Sequence, residues 1–251
     1  MFYRRSNMKG IILAGGTGTR LAPLTDGINK HMLPVGRYPM IFYPINSMVR
    51  QGITDILVVT GNDEAGQFVD MLGDGSKFGI NILYSYQEKP LGIADALKRG
   101  KQFVGRDHEF LVMLGDNIFI DELDLTSTNP DPTYPYGKLF VTEVAHPEHY
   151  GVAEFDKGGE LCSIEEKPRL PKSNKIITGA YVYPRLIFDY IRDLRPSDRG
   201  ELEITDLNNM FVKKGLMEYQ VLDDIWFDCG ESLTEYNETC YKMKDIKLKW
   251  D

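Results

Sequence analysis

Cysteine is scarce in this sequence. The three cysteines, Cys162, Cys229 and Cys240, show no Cys-x-x-Cys spacing and cannot all pair with one another. This distribution argues against both a disulfide framework and a structural zinc site, so we expect reduced thiols.

Long apolar runs are also lacking. No stretch approaches the roughly 18 to 20 apolar residues that a membrane span needs, and residues 1–7 carry charge without the apolar segment of a signal peptide. Met8 stands directly before the first strand-like run, so we interpret residues 1–7 as an N-terminal tail. We therefore expect a cytoplasmic protein with no membrane partner.

Positive charge is in deficit, with 29 Lys and Arg against 37 Asp and Glu and a net charge of −8. The basic residues are scattered apart from a short cluster over 242–249, so the sequence predicts no nucleic-acid-binding surface. A polyphosphate ligand would have to be held by a few placed cations, by backbone amides and by a metal ion.

Apolar runs of strand length alternate with segments of helical spacing in the first half of the chain. This alternation predicts an α/β fold with a mostly parallel sheet, helices on both faces, and ligands at the carboxyl ends of the strands. The predicted strands are 9–14, 55–60, 80–84 and 109–114, and the predicted helices are 40–51 and 92–103.

The pattern changes after about residue 120. A segment rich in Pro, Asp and Thr over 126–136 predicts a loop, and the strands that follow are expected to run in mixed directions. No internal repeat is visible, so we expect one domain over 8–251. The further predicted strands are 138–144, 151–155, 161–164 and 178–183, and the further predicted helices are 186–194, 204–214 and 232–241.

Three glycines within four positions follow the first strand, in Leu13-Ala-Gly-Gly-Thr-Gly-Thr-Arg-Leu21. Backbone N–H groups in such a loop can close on an anion without steric cost. The Gly-Lys-Ser/Thr of a P-loop and the third glycine of a dinucleotide-binding loop are both missing. Arg20 suits the charge of a triphosphate. The alternative interpretation of this segment is a glycine turn with a surface arginine.

Lys30 is a second candidate cation. It follows the glycine loop and precedes a proline, in Asn29-Lys-His-Met-Leu-Pro-Val35. A surface loop can carry lysine for no functional reason, but beside a phosphate loop it is a credible triphosphate contact. We interpret His31 as a hydrogen-bonded side chain rather than a catalyst.

Two aspartates are candidate metal ligands. Asp116 follows an apolar strand and a glycine, which predicts a position at the carboxyl edge of the sheet, and Asp228 lies between bulky apolar residues and a glycine. Because Mg²⁺ commonly takes one or two carboxylates plus phosphate oxygens, the pair would suit one site. A turn-forming role for each aspartate is the alternative.

The segment Ile164-Glu-Glu-Lys-Pro168 places opposite charges at a strand end. Side chains alternate along a strand, so only one of Glu165 and Glu166 can face a cleft. A carboxylate can accept two sugar hydroxyls, and Lys167 or Arg199 can hold a sugar phosphate. A charged strand edge and a solvated helix start are the alternatives.

Taken in order, these stretches resemble the sugar-nucleotide pyrophosphorylases, most closely the glucose-1-phosphate thymidylyltransferases in their short form. The resemblance runs from Lys9 to about Gly230. It is carried by GGTGTRL, the Lys30-containing K-x-x-L-P-V, Gly115-Asp-Asn117, Tyr150-Gly-Val152, Glu165-Glu-Lys-Pro168, Thr178-Gly179, Gly200-Glu-Leu-Glu-Ile-Thr-Asp206 and Trp226-Phe-Asp-Cys-Gly230.

The resemblance implies a Rossmann-like three-layer α/β/α nucleotidyltransferase core with a mixed central sheet and a sugar-binding lobe. It implies Mg²⁺-dependent transfer of a nucleotidyl group from dTTP to glucose 1-phosphate, giving pyrophosphate and dTDP-glucose for deoxysugar synthesis such as that of dTDP-rhamnose. The nucleotide-binding part would cover about 8–120, the sugar-phosphate-binding part about 121–230 and a C-terminal helical tail 231–251. A homo-oligomer is a further expectation.

The resemblance also implies roles for individual residues. Gln87 would read the pyrimidine edge, Gly92 would lie beneath the base, and Tyr181 would lie near the sugar. The implied catalytic residues are Arg20, Lys30, Asp116 and Lys167. The implied nucleotide-binding residues are Leu13, Gly15, Gly16, Thr17, Gly18, Arg20, Lys30, Gln87, Gly92 and Asp116. The implied sugar-phosphate-binding residues are Asn117, Gly151, Glu166, Lys167, Thr178, Tyr181 and Arg199, and the implied metal ligands are Asp116 and Asp228.

The sequence departs from the family pattern at three positions. The family usually has Gln where His31 and Asp95 stand, and an acidic residue where Pro184 stands, so the fine substrate preference is open. Longer members carry extra C-terminal helices with an allosteric site, and we expect no feedback inhibition of that kind here. The alternatives are a uridylyltransferase, since uracil and thymine present the same edge, a non-catalytic nucleotide-sugar sensor, and a metal-dependent glycosyltransferase.

Overall fold

A computed structural model describes residues 8–106, 109–120, 122–127, 136–223 and 226–250. The predicted tail 1–7 and most of the predicted loop over 126–136 lie outside these residues. The strands are β1 (Lys9–Ala14), β2 (Pro34–Val35), β3 (Tyr38–Pro39), β4 (Asp55–Gly61), β5 (Asn81–Gln87), β6 (Glu109–Leu114), β7 (Asn117–Phe119), β8 (Gly137–Glu143), β9 (Gly151–Phe155), β10 (Leu161–Glu166), β11 (Lys175–Pro184), β12 (Met217–Val221) and β13 (Trp226–Asp228).

Seven α-helices accompany these strands in the described part of the chain. They are α1 (Phe42–Arg50), α2 (Ala65–Leu72), α3 (Ile93–Lys98), α4 (Lys101–Val104), α5 (Ile187–Ile191), α6 (Ile204–Val212) and α7 (Leu233–Met243). None of the helices within the described residues is long and apolar enough to cross a lipid bilayer.

Nine strands form one mixed sheet, in the order β10-β9-β11-β6-β1-β4-β5, with β8 pairing with β11 and β12 pairing with β8. Strand β1 runs parallel to both β4 and β6, and β5 runs parallel to β4. The long strand β11 runs antiparallel to β6 and β8 and so joins the parallel half to the mixed half. The prediction of a mixed central sheet is confirmed.

Strand β1 shows why the fold has three layers. Successive side chains of a strand point to opposite faces. Ile11 and Leu13 belong to one apolar cluster with residues of α3, α5 and α6, whereas Ile12 and Ala14 belong to a second cluster with residues of α1 and α2. An apolar strand that is buried on both faces therefore carries helices on both sides of the sheet.

The structure departs from the predicted elements in several places. The helix predicted over 92–103 is two short helices, α3 and α4, separated by Arg99 and Gly100. Gly100 lies against β1, where an added Cβ would come within 2.3 Å of Ile11 Cδ1. Helix α2 and strand β12 were not predicted, and the predicted helix 186–194 is the shorter α5.

The C-terminal helix packs on the loop that carries Lys30. Tyr236 of α7 donates a hydrogen bond from its hydroxyl to the Pro34 carbonyl at 2.6 Å. Tyr236 and Met243 lie in a third apolar cluster together with Leu33 and Val35. Helix α7 therefore supports the segment that follows the glycine loop.

Candidate active site

The glycine loop and Asp116 leave the sheet at the same edge. Because β1 and β6 are parallel neighbours, Leu13 pairs with Leu114, and Gly115 N–H donates to the Leu13 carbonyl at 2.9 Å. Strand β13 pairs with β7 and places Asp228 opposite Asn117. The two aspartates that the sequence separates by more than a hundred positions therefore meet at this edge.

Lys30 pairs with Asp116 and also interacts electrostatically with Asp228. Its ammonium forms an ion pair with Asp116, and both side chains are largely buried. Burial raises the pKa of the Asp116 carboxyl, but the Lys30 charge, together with hydrogen bonds from Lys30 and Asn117 and a smaller electrostatic contribution from His31, outweighs burial and holds that pKa below its usual range. Burial and the facing Asp116 carboxylate raise the pKa of Asp228 to about 7. Two buried carboxylates thus lie near one lysine, which pairs with Asp116 only, and this cluster favours an additional cation.

Glycines allow this cluster to pack closely. A Cβ added at Gly230 would lie 2.3 Å from Asp116 Oδ2 and 2.7 Å from Lys30 Nζ. At Gly115 an added Cβ would lie 2.6 Å from the His31 ring. Substituting either glycine would therefore displace a side chain of the site.

His31 is fully buried beside this cluster. Its backbone N–H and its Nδ1 both approach Asn29 Oδ1, at 2.9 and 2.7 Å. Because that oxygen is an acceptor, Nδ1 carries the proton and Nε2 does not. Burial and the Lys30 charge lower the pKa of His31 to about 3, so the ring is neutral at neutral pH. The interpretation of His31 as a hydrogen-bonded side chain agrees with these contacts.

The first of two neighbouring cavities opens at the ends of β1, β5 and β6. It holds most of the predicted nucleotide-binding residues, and six of its lining residues were not predicted to bind the nucleotide: His31, Pro90, Ile93, Ala96, Leu114 and Glu201. Its described lining comprises Leu13, Gly15, Gly16, Lys30, His31, Gln87, Pro90, Gly92, Ile93, Ala96, Leu114, Asp116 and Glu201.

Three residues predicted to bind the nucleotide lie outside that lining. Thr17 is exposed, and Gly18 has a left-handed backbone with φ 69° and lies against Lys30. Arg20 lines the second cavity instead and pairs with Glu231 at 2.8 Å. Since the Arg20 side chain is 52% exposed, this pair contributes little stability and leaves the guanidinium available to a phosphate.

Gly92 lies where the first cavity meets the second half of the chain. Its φ is 101°, and a Cβ there would approach the Leu202 carbonyl to 2.5 Å. Leu202 N–H donates to the Leu91 carbonyl, and Ala94 N–H donates to the Leu202 carbonyl. Only glycine fits this contact between the β5–α3 loop and the segment before α6.

The second cavity adjoins the first, and the two share Ile93, Leu114 and Asp116. Six of the seven residues predicted to bind the sugar phosphate lie in its lining. The described lining comprises Arg20, Ile93, Leu114, Asp116, Asn117, His149, Tyr150, Gly151, Glu166, Lys167, Ile177, Thr178, Gly179, Tyr181, Ile204, Thr205, Asn208, Trp226, Asp228 and Glu231.

Glu166, not Glu165, faces this cavity. Its Oε2 accepts a hydrogen bond from Thr205, and its Oε1 lies 3.4 Å from Arg199 Nη2. Arg199, the seventh predicted residue, is held by Glu203 at 2.9 Å and lies behind Glu166 rather than in the lining. Arg199 therefore orients Glu166 in this structure.

Two predicted sugar contacts already use their polar groups inside the fold. Asn117 Oδ1 accepts from Gly179 N–H at 2.9 Å and from Trp226 Nε1 at 2.7 Å. The Thr178 hydroxyl donates to the Phe140 carbonyl at 2.9 Å. Both residues line the cavity, but these bonds give them a structural role: Asn117 joins β7 to β11 and β13, and Thr178 joins β11 to β8.

Several residues that line the two cavities were not predicted from the sequence. Thr205 and Trp226 stand inside the motifs that carry the resemblance, so their motifs were an available signal. Glu201 belongs to the same stretch as Thr205. Glu231 offered no such signal, because its contact with Arg20 spans 211 positions.

Comparisons with known proteins show the family of this chain. Residues 9–243 match the model of the family described as nucleotidyl transferase. The chain is 45% identical over 245 residues to the glucose-1-phosphate thymidylyltransferase of Neisseria meningitidis, covering 96% of this chain and 85% of the relative.

Solved structures share the fold. A protein assigned as a glucose-1-phosphate thymidylyltransferase of Bacillus anthracis, crystallised with sucrose, is 42% identical with a TM-score of 0.88 and covers 96% of this chain and 97% of its own. A UDP-glucose pyrophosphorylase complexed with UDP-glucose superposes with a TM-score of 0.79 at 23% identity over 94% of this chain and 97% of its own, which shows the fold alone. By its motifs, fold and relatives, the chain belongs to the nucleotidyl transferase family, among the glucose-1-phosphate thymidylyltransferases.

Proposed function

We propose that this chain transfers a thymidylyl group from dTTP to glucose 1-phosphate and releases pyrophosphate. The observation that carries the proposal is the meeting of two cavities at Asp116. One cavity begins at the glycine loop and the other contains Glu166 and Lys167. A nucleotide in the first and a sugar phosphate in the second would bring their phosphates together at this carboxylate.

The nucleotide cavity suits a base followed by phosphates. Gln87 bonds to Gly92 in this cavity, whereas Lys30 lies against Gly16 and pairs with Asp116. The base would therefore contact Gln87 while the phosphates contact Gly15, Gly16 and Lys30. Arg20 would reach the phosphates by leaving its exposed pair with Glu231.

The second cavity suits a sugar phosphate. Glu166 supplies a carboxylate for sugar hydroxyls, and Tyr181 lies at its wall, 3% exposed. The Lys167 ammonium is the cation for the sugar 1-phosphate. Arg199 would act on the sugar through Glu166, to which it is paired.

The residues present fit a magnesium ion. Within the described residues no group of three or more His, Cys, Asp or Glu side chains is placed to hold a metal, so the protein would contribute Asp116 and Asp228 only. Mg²⁺ at phosphate-transfer sites commonly takes one or two carboxylates and completes its shell with phosphate and water oxygens. When bound there, the ion would neutralise phosphate charge and polarise the α-phosphate.

The reaction needs positioning and charge rather than a covalent intermediate. The phosphate oxygen of glucose 1-phosphate is already anionic, so it can attack the α-phosphorus in line without a general base. Lys30, Lys167 and Arg20 would offset the repulsion between the two anions. The new P–O bond gives dTDP-glucose, and the bond to the β-phosphate breaks to release pyrophosphate. We place this reaction in the cytoplasm.

The Asp116→Asn variant tests the site. We expect the turnover number to fall by about 10²- to 10³-fold, because the amide cannot supply the charge that the reacting phosphates and the metal require. Steady-state pyrophosphate release with Mg²⁺ measures this, and chelation by EDTA should abolish it until Mg²⁺ is added back.

The matched control is Asp70→Asn, which makes the same change at an exposed position of α2. Asp70→Asn should behave as wild type. Near-wild-type turnover by a folded Asp116→Asn protein would contradict the assignment of the site.

A further inference from the structure

The amide of Gln87 is held by two acceptors inside the nucleotide cavity. Its Nε2 donates to Asp95 Oδ2 at 3.0 Å and to the Gly92 carbonyl at 3.3 Å. Gln87 is 6% exposed and Asp95 is 7% exposed, so water does not compete freely for these groups. Asp95 is also an ion-pair partner of Arg99, whose Nη2 lies 3.9 Å from the same Oδ2.

These contacts fix which end of the Gln87 amide faces the ligand. An ionised carboxylate and a backbone carbonyl accept hydrogen bonds only. In the opposite orientation of the amide, Oε1 would face both acceptors. Neither the Asp95 carboxylate nor the Gly92 carbonyl would then receive a hydrogen bond from Gln87, and such a loss is costly in a buried site. Nε2 must therefore face Asp95 and Gly92, and Oε1 must face away from them.

Oε1 then lies on the side of the cavity formed by the glycine loop. A Cβ built on Gly15 would be 3.0 Å from Gln87 Oε1, and both residues line the cavity. The ligand consequently meets an acceptor at Gln87. Both hydrogens of its amide nitrogen have protein partners.

We propose that Asp95 is a positioning residue that holds Gln87 as a hydrogen-bond acceptor and thereby selects pyrimidines with an N3–H group. Thymine and uracil carry this donor, whereas cytosine has an unprotonated N3 that would face Gln87 Oε1, lone pair to lone pair. This inference rests on the proposed function and specifies its nucleotide. Asp95 itself does not touch the base.

The test compares kcat/KM for dTTP and dCTP, each with glucose 1-phosphate and Mg²⁺. Asp95→Ala removes the acceptor, so the amide can turn, and the dTTP-to-dCTP ratio should fall about tenfold or more, mainly through KM. Asp95→Asn keeps an oxygen acceptor for Gln87 and should retain most of the wild-type ratio. Asp70→Asn, exposed on α2, should leave the ratio unchanged.

A purely structural role for Asp95 gives a different result. Asp95→Ala would then lower kcat/KM for both nucleotides by the same factor, and that unchanged ratio would overturn the inference. N3-methyl-dTTP provides a test on the wild-type protein alone, should Asp95→Ala not fold. It lacks the N–H donor and should lose at least about tenfold in kcat/KM, and equal use of both nucleotides would contradict the inference.

Different results would overturn the proposed function and the role of Asp95. A folded wild-type protein that forms no product from dTTP and glucose 1-phosphate overturns the proposed function and this inference with it. A wild-type protein that is active with dTTP, together with an Asp95→Ala variant of unchanged selectivity, overturns only the role of Asp95.

Discussion

Lys167 lines the second cavity and has a strained backbone. Among the described residues it is the one non-glycine residue with positive φ, at 46°. Its N–H donates to the Tyr150 carbonyl at 2.9 Å, which holds this conformation, and its side chain lines the sugar cavity. A left-handed conformation costs a residue with a Cβ roughly 1 kcal/mol or more. We therefore expect the ammonium, rather than stability, to account for lysine at this position.

Lys167→Gly and Lys167→Ala separate these two effects. Both remove the ammonium, so both should lower turnover by about 100-fold or more. Glycine adopts the left-handed conformation without strain. The free energy of unfolding of Lys167→Gly should therefore be about 1 kcal/mol higher than that of Lys167→Ala. Denaturant unfolding and pyrophosphate release measure the two quantities.

Lys157 is the matched control, since it is an exposed lysine without positive φ. There the glycine variant should be no more stable than the alanine variant. A Lys167→Gly protein that is less stable than Lys167→Ala would contradict the strain argument.

The sequence was sufficient to identify residues whose local setting is distinctive. Asp116 follows an apolar strand and a glycine, and Lys30 follows a glycine loop, so both positions could be predicted. The contacts of Arg20 with Glu231 and of Asp95 with Gln87 could not, because side-chain contacts depend on packing that composition and spacing do not encode. The predicted roles of the site residues stay predictions until the variants are measured.

At the level of elements, helix α7 supports the loop that carries Lys30 from outside the sheet. Ser232 caps its start by accepting a hydrogen bond from Glu235 N–H at 3.1 Å. Tyr236, one turn into the helix, bonds to Pro34. Loss of the cap should therefore destabilise both the helix and the loop that it contacts.

Ser232→Ala should lower the free energy of unfolding by about 1 kcal/mol, because the N–H groups of the first turn lose their acceptor. Thr234→Ala, at an exposed position inside the same helix, should be neutral or slightly stabilising, since alanine favours helix more than threonine does. Denaturant unfolding of both variants provides the comparison. Equal stabilities for the two variants would contradict the capping role of Ser232.

Elements with strong apolar character were predicted and weaker ones were missed. The buried strands β1, β4 and β6 consist of continuous apolar runs, which determine both their type and their parallel pairing. Strand β12 is only partly buried and pairs with β8 through a segment rich in polar residues. Gly100 lies between α3 and α4, where an added Cβ would meet Ile11, and this tertiary contact is one that helical spacing cannot show.

At the level of the whole molecule, the fold places two cavities on either side of one carboxylate. The parallel half of the sheet contributes the glycine loop and Asp116, and the mixed half contributes Glu166 and Lys167. The pairing of β7 with β13 adds Asp228 to the junction. The extent of the domain and a homo-oligomeric state stay predictions.

Product formation from dTTP and glucose 1-phosphate tests the central claim most directly. Chromatography of a reaction with purified protein and Mg²⁺, run separately with dTTP, UTP and dCTP, measures the nucleotide sugar and pyrophosphate together. We predict dTDP-glucose and pyrophosphate in equal amounts with dTTP, and much less product with dCTP. A clear preference for UTP would identify a uridylyltransferase instead, and no product from any of the three with folded protein would contradict the account.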